Sequence, residues 1–203
     1  MRSAYVRLPP SPSRAYAMGM PAQKTEWTAE LVRALPDDGN RYEVLDGELF
    51  VTPAPGWAHQ EVLARLFSFI DPYVKQYGLG WTLWSPADLE FSGHRLQPDL
   101  FVVPDMGTGK PRTWQDVKTL LLSVEASSPT TARADRLKKR PIYQKTAVPE
   151  YWIVDLDSRL VERWRPDDER PEVIAEVLEW QPKPAIPPLR IPLAEVFGSE
   201  TDW

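Results

Sequence analysis

The feature that most constrains the fold is a run of apolar residues over positions 119–124 that ends at a carboxylate, Glu125. The run does not alternate with polar residues, which is typical of a central strand covered on both faces. A second predicted strand, over 99–103, carries a carboxylate at its start. Apolar residues at helical spacing over 59–77 predict a helix that packs on a sheet. We therefore predict an α/β core.

The clearest local signal is Asp46-Gly47, which separates predicted strands over 42–45 and 48–51. This dipeptide predicts a hairpin with a type I′ turn. The other predicted elements are a helix over 26–35, strands over 80–84 and 88–91, a helix over 131–146, a hairpin of strands 151–155 and 160–164, and a proline-rich surface wrap over 181–192.

The length of 203 residues fits one domain with tails. Residues 1–24 hold four prolines and little periodicity, so they are expected to form a poorly packed N-terminal arm before a single domain over 25–203. The chain has no apolar run of membrane-spanning length and no signal-peptide core. We therefore expect a cytoplasmic protein with no membrane partner.

Composition limits the chemistry that the chain can perform. The formal net charge of −5, from 24 basic and 29 acidic residues, counts against a broad nucleic-acid-coating surface, so any DNA contact must be local. The absence of cysteine and the presence of two histidines exclude thiolate and His-rich metal sites. Oxygen ligands for a hard cation remain. The nine tryptophans are expected to serve packing rather than base stacking.

Asp99 and Glu125 are the strongest candidate site residues, because a carboxylate beside a buried strand is costly to desolvate unless it is paired or bound to a cation. The following helix presents Thr131, Asp135, Lys139 and Tyr143 every four residues, so that Lys139 can point at the carboxylates. Two carboxylates, a main-chain carbonyl and an ammonium suit Mg²⁺-dependent hydrolysis of a phosphodiester. Pro141 inside this helix predicts a bend.

Several segments together resemble the Uma-two family of restriction endonucleases, over roughly residues 25–198. The resemblance rests on Gln97-Pro98-Asp99, on residues 42–49, 123–130 and 148–155, and on His59, Asp135, Lys139 and Tyr143. It implies membership of the PD-(D/E)XK nuclease superfamily, with a restriction-endonuclease-like core in which helices flank a mixed central sheet. It also implies a DNA endonuclease, and with the exposed hairpin edges it favours a homodimer.

The resemblance further implies that Asp99, Glu125 and the Ala126 carbonyl bind Mg²⁺, with Mn²⁺ as a possible substitute. Position 127, where the superfamily pattern has lysine, is serine, and the helix residue Lys139 is expected to replace it. Glu43 resembles an additional acidic residue that the N-terminal part of such nucleases contributes. The catalytic set is therefore expected to be Asp99, Glu125, Lys139 and Glu43.

Each candidate has a structural alternative. Asp99 can cap a strand, and Lys139 can belong to a solvated basic helix face. Three further site candidates, His59, Tyr143 and Ser127, can instead serve as a helix-end group, a core residue and a cap. For the whole chain, the alternative is a catalytically inactive nuclease fold that binds nucleic acid or protein. Glycoside hydrolysis by Asp99 and Glu125 ranks last, because it leaves Lys139 without a role.

Overall fold

A computed structural model describes residues 26–36, 38–107, 109–129 and 131–199, and the arm expected at 1–24 lies outside these ranges. The helices are α1 (Ala29–Arg33), α2 (Trp57–Gln76), α3 (Ala132–Ala134), α4 (Arg140–Lys145) and α5 (Leu193–Phe197), with a 3-10 turn at Trp114–Asp116 and a π turn at Asp135–Lys139 that joins α3 to α4. The strands are β1 (Arg41–Leu45), β2 (Glu48–Thr52), β3 (Gly80–Trp84), β4 (Leu89–Phe91), β5 (His94–Leu96), β6 (Leu100–Pro104), β7 (Leu122–Ser127), β8 (Tyr151–Asp155), β9 (Leu160–Trp164), β10 (Glu172–Ile174), β11 (Val177–Trp180) and β12 (Leu189–Pro192). In this part of the chain, no helix is both long and apolar enough to cross a membrane.

The central sheet has six strands in the order β10-β9-β8-β7-β6-β3. Strands β7 and β8 pair in parallel and the other neighbours pair antiparallel, so the sheet is mixed. The hairpin β1–β2 belongs to a separate four-stranded sheet of order β2-β1-β5-β4, and β11 pairs with β12. The predicted α/β class with helices flanking a mixed sheet is confirmed.

Side chains that alternate along the central strands build two cores, one on each face of the sheet. On β6, Leu100 and Val102 join the core that includes α2 and α5, whereas Phe101 and Val103 join the core on the side of β4, β5 and α4. All six residues of β7 are buried, as expected of a strand covered on both faces. The sheet therefore carries β7 through the middle of the molecule.

The β1–β2 hairpin turns at Asp46-Gly47 as the sequence predicts. Their φ angles are 51° and 72°, the two positive values that a type I′ turn requires. Helix α1 begins at Ala29 rather than at residue 26, because Thr28 caps it with a hydroxyl that accepts the Leu31 N–H at 3.3 Å. Trp27 is held outside the helix by its N–H bond to the Gly47 carbonyl, at 2.9 Å.

The strand predicted over 119–124 instead occupies Leu122–Ser127, so Glu125 lies inside the strand rather than at its end. Parallel pairing with β8 continues to Ser127 opposite Asp155 and extends the strand past the carboxylate. Strands β5, β10 and β11 were not predicted, because segments of three or four residues show little alternation. Part of the predicted proline-rich wrap also forms a strand, β12, in which Ile191 is buried.

The helix predicted over 131–146 is continuous, but a π turn at its centre accommodates Pro141. The Arg140 N–H bonds five residues back, to the Asp135 carbonyl. Pro141 has no N–H for the next bond of this kind, and the Arg136 carbonyl instead accepts from Arg140 Nε at 3.0 Å. The proline thereby enters the first turn of α4, where a missing N–H is tolerated.

The close approach of β3 to the end of β6 yields a stability prediction. A Cβ at Gly80, whose φ is +142°, would lie 1.9 Å from the Val103 carbonyl oxygen, whereas a Cβ at Gly78, whose φ is +57°, meets nothing within 4 Å. Gly80→Ala should lower the free energy of unfolding by about 3 kcal/mol or more, and Gly78→Ala by about 1–2 kcal/mol. Urea unfolding of both variants measures this; equal losses would contradict the close approach.

Candidate active site

Asp99 immediately precedes β6 and lies beside Glu125 of the neighbouring strand β7. Leu100 pairs with Val124, and continuing this antiparallel register by one residue places Asp99 opposite Glu125, on the same face. Ala126 donates its N–H to Asp99 Oδ2 at 2.9 Å. Because the N–H and C=O of one strand residue point to the same side, the Ala126 carbonyl also faces the Asp99 side.

Asp99 is buried and its carboxylate is held by side chains from two other elements. His59, near the start of α2, brings Nε2 within 2.9 Å of Asp99 Oδ2, and Arg41 of β1 donates from its guanidinium to Oδ1. Burial alone would raise the pKa of Asp99, but the His59 hydrogen bond and the charges of Arg41 and Lys139 hold it well below its usual range. Asp99 is therefore ionised, and His59 carries a proton on Nε2, because an ionised carboxylate only accepts.

Lys139 is the cation at the centre of the site. Its side chain is 6% exposed, and its Nζ lies 2.9 Å from Glu43, 3.1 Å from Glu125 and 3.4 Å from Asp135. Burial lowers the pKa of a lysine, but these three carboxylates raise that of Lys139 well above its ordinary value. The ammonium is therefore charged, and it joins β1, β7 and the π turn.

The pKa of Glu125 is raised by the acidic side chains around it. Burial raises this pKa most, and the carboxylates of Asp99, Asp135 and Glu43 raise it further. The Lys139 ammonium lowers it, but not enough to offset these effects, so the pKa stays well above its ordinary value. Four carboxylates face two permanently charged cations, Lys139 and Arg41. The four carboxylates therefore outnumber Lys139 and Arg41, and His59 beside Asp99 adds positive charge only when it is protonated.

Further polar side chains fix the carboxylates in place. Tyr143 donates its hydroxyl to Glu125 Oε1 at 3.4 Å, and Ser127 donates to Asp135 Oδ2 at 2.5 Å. Glu43 Oε1 accepts the main-chain N–H of Gln97 at 2.8 Å. These contacts leave each acidic side chain with little rotational freedom.

The structure brings every residue singled out from the sequence into one cluster: Glu43, His59, Asp99, Glu125, Ala126, Ser127, Lys139 and Tyr143. The sequence did not single out Arg41, which contacts Asp99, and it named Asp135 without giving it a place in the site. Arg41 stands two residues before Glu43 on the same strand, hence on the same face. That spacing was the available signal.

A cavity of about 820 Å³ opens beside Asp99. Its wall includes Asp99, Arg41 and His59 together with Gln97 and the aromatic residues Phe67 and Trp84. Such a volume lies within the range typical of ligand-binding pockets, roughly 300–1,000 Å³. Asp99 is thus the carboxylate of the cluster that lines this cavity.

The donor chemistry of the cluster fits a hard divalent cation. All of its acidic groups are oxygen donors, and they outnumber Lys139 and Arg41, so a cation would meet acidic groups that the chain does not fully neutralise. Among the described residues, no three His, Asp or Glu side chains form a ready metal site. The set Asp99, Glu125 and the Ala126 carbonyl needs only two acidic side chains.

Helices flank a mixed sheet, and the buried carboxylates meet a lysine that the π turn supplies. A crystal structure of a "putative nuclease belonging to DUF820" from Anabaena variabilis ATCC 29413 is similar, with a TM-score of 0.69 at 19% identity over 84% of this chain and 97% of that one. Among curated proteins, none matches. The family model described as "Putative restriction endonuclease" matches residues 29–194, so the chain belongs to the Uma2 family.

The burial of Lys139 separates it from its neighbour Lys138, which pairs with Glu48 at 3.2 Å where both side chains are about one-third exposed. Lys139→Met would leave three buried carboxylates without their shared cation and should cost about 3–5 kcal/mol of unfolding free energy. Lys138→Met should cost about 0–1 kcal/mol. Chemical denaturation in metal-free buffer measures both, and similar small losses would show that Lys139 is solvated.

Proposed function

We propose that the protein is a Mg²⁺-dependent endodeoxyribonuclease that hydrolyses phosphodiester bonds in DNA. The observation that carries the proposal is the buried cluster of Glu43, Asp99, Glu125 and Asp135 around Lys139, beside the cavity. Membership of the Uma2 family supports a nuclease activity. The metal and the DNA substrate belong to the proposal.

Asp99, Glu125 and the Ala126 carbonyl would hold the cation, with Mn²⁺ as a possible substitute for Mg²⁺. When bound, the cation lowers the pKa of water and offsets negative charge that develops on the phosphate. The ionised state of Asp99 supports its place in this set, because a metal ligand must be deprotonated.

The remaining residues act on the position and charge of this set. Lys139 lies 3.1 Å from Glu125 and is charged, so it can orient the attacking water and stabilise charge in the transition state. Arg41 and His59 keep Asp99 ionised and fixed. Glu43 also holds Lys139, at 2.9 Å from Nζ. The reaction would be a direct hydrolysis without a covalent intermediate.

A catalytically inactive module that binds nucleic acid or protein is the second candidate. It is favoured by the pairing of Glu43, Glu125 and Asp99 with cations of the chain itself, Lys139 and Arg41. These pairs stabilise the carboxylates without a metal. The cleavage experiment below separates the two candidates.

Cytoplasmic location and a homodimer complete the proposal. Strand β10 is an edge of the central sheet, and its Val173 is 58% exposed. An exposed apolar edge strand of this kind supports pairing between two copies.

The first functional prediction concerns the metal. Plasmid DNA should be nicked or linearised in the presence of Mg²⁺ or Mn²⁺. It should stay intact with EDTA, because no cation then activates water or offsets the negative charge on the phosphate in the transition state. Asp99→Asn keeps the shape of the side chain but removes its charge, and should abolish both cleavage and the heat of Mg²⁺ binding in calorimetry. DNA binding without cleavage by the wild type under all metal conditions would favour the inactive module.

The second functional prediction uses the neighbouring lysines. Lys139→Ala should lower kcat by about 10²–10³-fold, because one stabilising group of the transition state is removed while Asp99 and Glu125 remain. Lys138→Ala should change kcat little and reduce mainly salt-sensitive DNA affinity. Rates are compared at a temperature at which circular dichroism shows both variants folded. Equal, small effects would place the catalytic cation elsewhere.

A further inference from the structure

Three buried polar atoms of cavity-lining residues have no hydrogen-bond partner in the described part of the chain: Arg41 Nε, His59 Nδ1 and Gln97 Oε1. Gln97 is 7% exposed and lines the cavity, and its Oε1 is buried without a hydrogen-bond partner among the described residues. A buried acceptor left unpaired costs about 1–3 kcal/mol, so such an atom marks a place where a ligand donor is expected.

The orientation of the Gln97 amide follows from its neighbour. Its Nε2 donates to Asp88 Oδ1 at 2.6 Å, and Asp88 also accepts from Arg95 at 2.6 Å. Turning the amide over would bring its oxygen against the Asp88 carboxylate, which has no hydrogen to donate. The free group of Gln97 is therefore an acceptor, which requires a ligand with an N–H or O–H.

The same cavity has an aromatic wall. Trp84 and Phe67 both line it and meet edge to face, with ring centroids 4.9 Å apart at 84°. Packing is the role expected of tryptophan from the sequence, but Trp84 is 58% exposed. Its strand register places it opposite Leu100, one residue from Asp99. A flat ring that is partly open to solvent, next to the candidate site, can stack on a planar ligand.

We propose that this cavity binds one unpaired nucleobase of the substrate strand, stacked on Trp84 and donating an edge N–H to Gln97 Oε1. The inference rests on the proposed nuclease function and deepens it, because it makes a single-stranded or locally unpaired strand the substrate. A base inside a duplex has both faces stacked and its edge N–H groups paired, so it offers neither contact until it leaves the helix.

Guanidinium donors in the cavity wall can hydrogen-bond a nucleotide phosphate, although each arginine is paired with a carboxylate and adds no net positive charge. Arg33 and Arg41 line the cavity, and Arg33 is 45% exposed in its side chain. A base held on Trp84 would place its own phosphate near the arginines and the Asp99 side of the cluster. The bound base would thus determine which phosphodiester bond of the strand lies next to Asp99.

The test measures binding without cleavage. Full-length protein in EDTA is titrated into a fluorescein-labelled 12-nucleotide single strand and into its duplex, with anisotropy as the readout. The wild type should bind the single strand at least about tenfold more tightly. Trp84→Ala should weaken single-strand binding by about 5- to 150-fold, the range measured for base stacking, and Trp84→Phe should restore most of it. Gln97→Met should weaken it by about fivefold.

Trp57→Ala is the matched control, because Trp57 is 82% exposed and is not part of the cavity wall. It should bind as the wild type does. Equal binding of duplex and single strand, with Trp84→Ala indistinguishable from Trp57→Ala, would overturn the base-binding inference and leave the nuclease proposal standing. Absence of binding to either nucleic acid by the wild type in EDTA would also overturn the base-binding inference, whereas the nuclease proposal would be overturned by absence of cleavage with Mg²⁺ or Mn²⁺.

Discussion

One buried ammonium, that of Lys139, fixes the relation between the three parts of the molecule that meet at the site. Glu43 comes from the β1–β2 hairpin, Glu125 from the middle of the central sheet and Asp135 from the π turn, and all three lie within 3.4 Å of the same nitrogen. Because an unpaired buried charge costs several kcal/mol, no one of these elements can move away without a large penalty. The interaction that holds the small sheet against the central one therefore also assembles the candidate active site.

The irregular helix is what brings Lys139 to this position. Pro141 prevents a regular helical bond, and the chain responds with a π turn over Asp135–Lys139. The wider turn leaves the Arg136 carbonyl without a main-chain partner, and Arg140 Nε bonds it instead. The Asp135 carbonyl, which accepts the Arg140 N–H, also accepts the Tyr151 hydroxyl at 3.4 Å. A residue that looks unfavourable in a helix thus has a structural role, since it shapes the segment that carries both Asp135 and Lys139.

Local sequence patterns predicted the elements that local physics determines. The bounds of β3, β8 and β9 agree with prediction, because turn residues and apolar runs delimit them. The four-residue stripe also placed Lys139, which is buried, on a different face from Lys138, which is about one-third exposed. The Arg41 contact to Asp99 joins residues 58 positions apart, and only the two-residue spacing of Arg41 from Glu43 on β1 pointed to it. Local sequence did not predict that β7 extends past Glu125, because the extension depends on pairing with β8.

The charge pattern of the cavity bears on how an acidic chain could bind a polyanion. Each arginine of its wall is matched by a carboxylate: Arg41 by Asp99, Arg95 by Asp88 and Arg33 by Glu90. Binding that depends on phosphate neutralisation needs basic groups that can release counterions, and paired arginines offer few of these. The aromatic wall and the unsatisfied Gln97 oxygen depend much less on salt, because stacking and hydrogen bonding do not displace ions. In a chain of net charge −5, recognition is therefore better served by the shape and polarity of this cavity than by a long-range positive field.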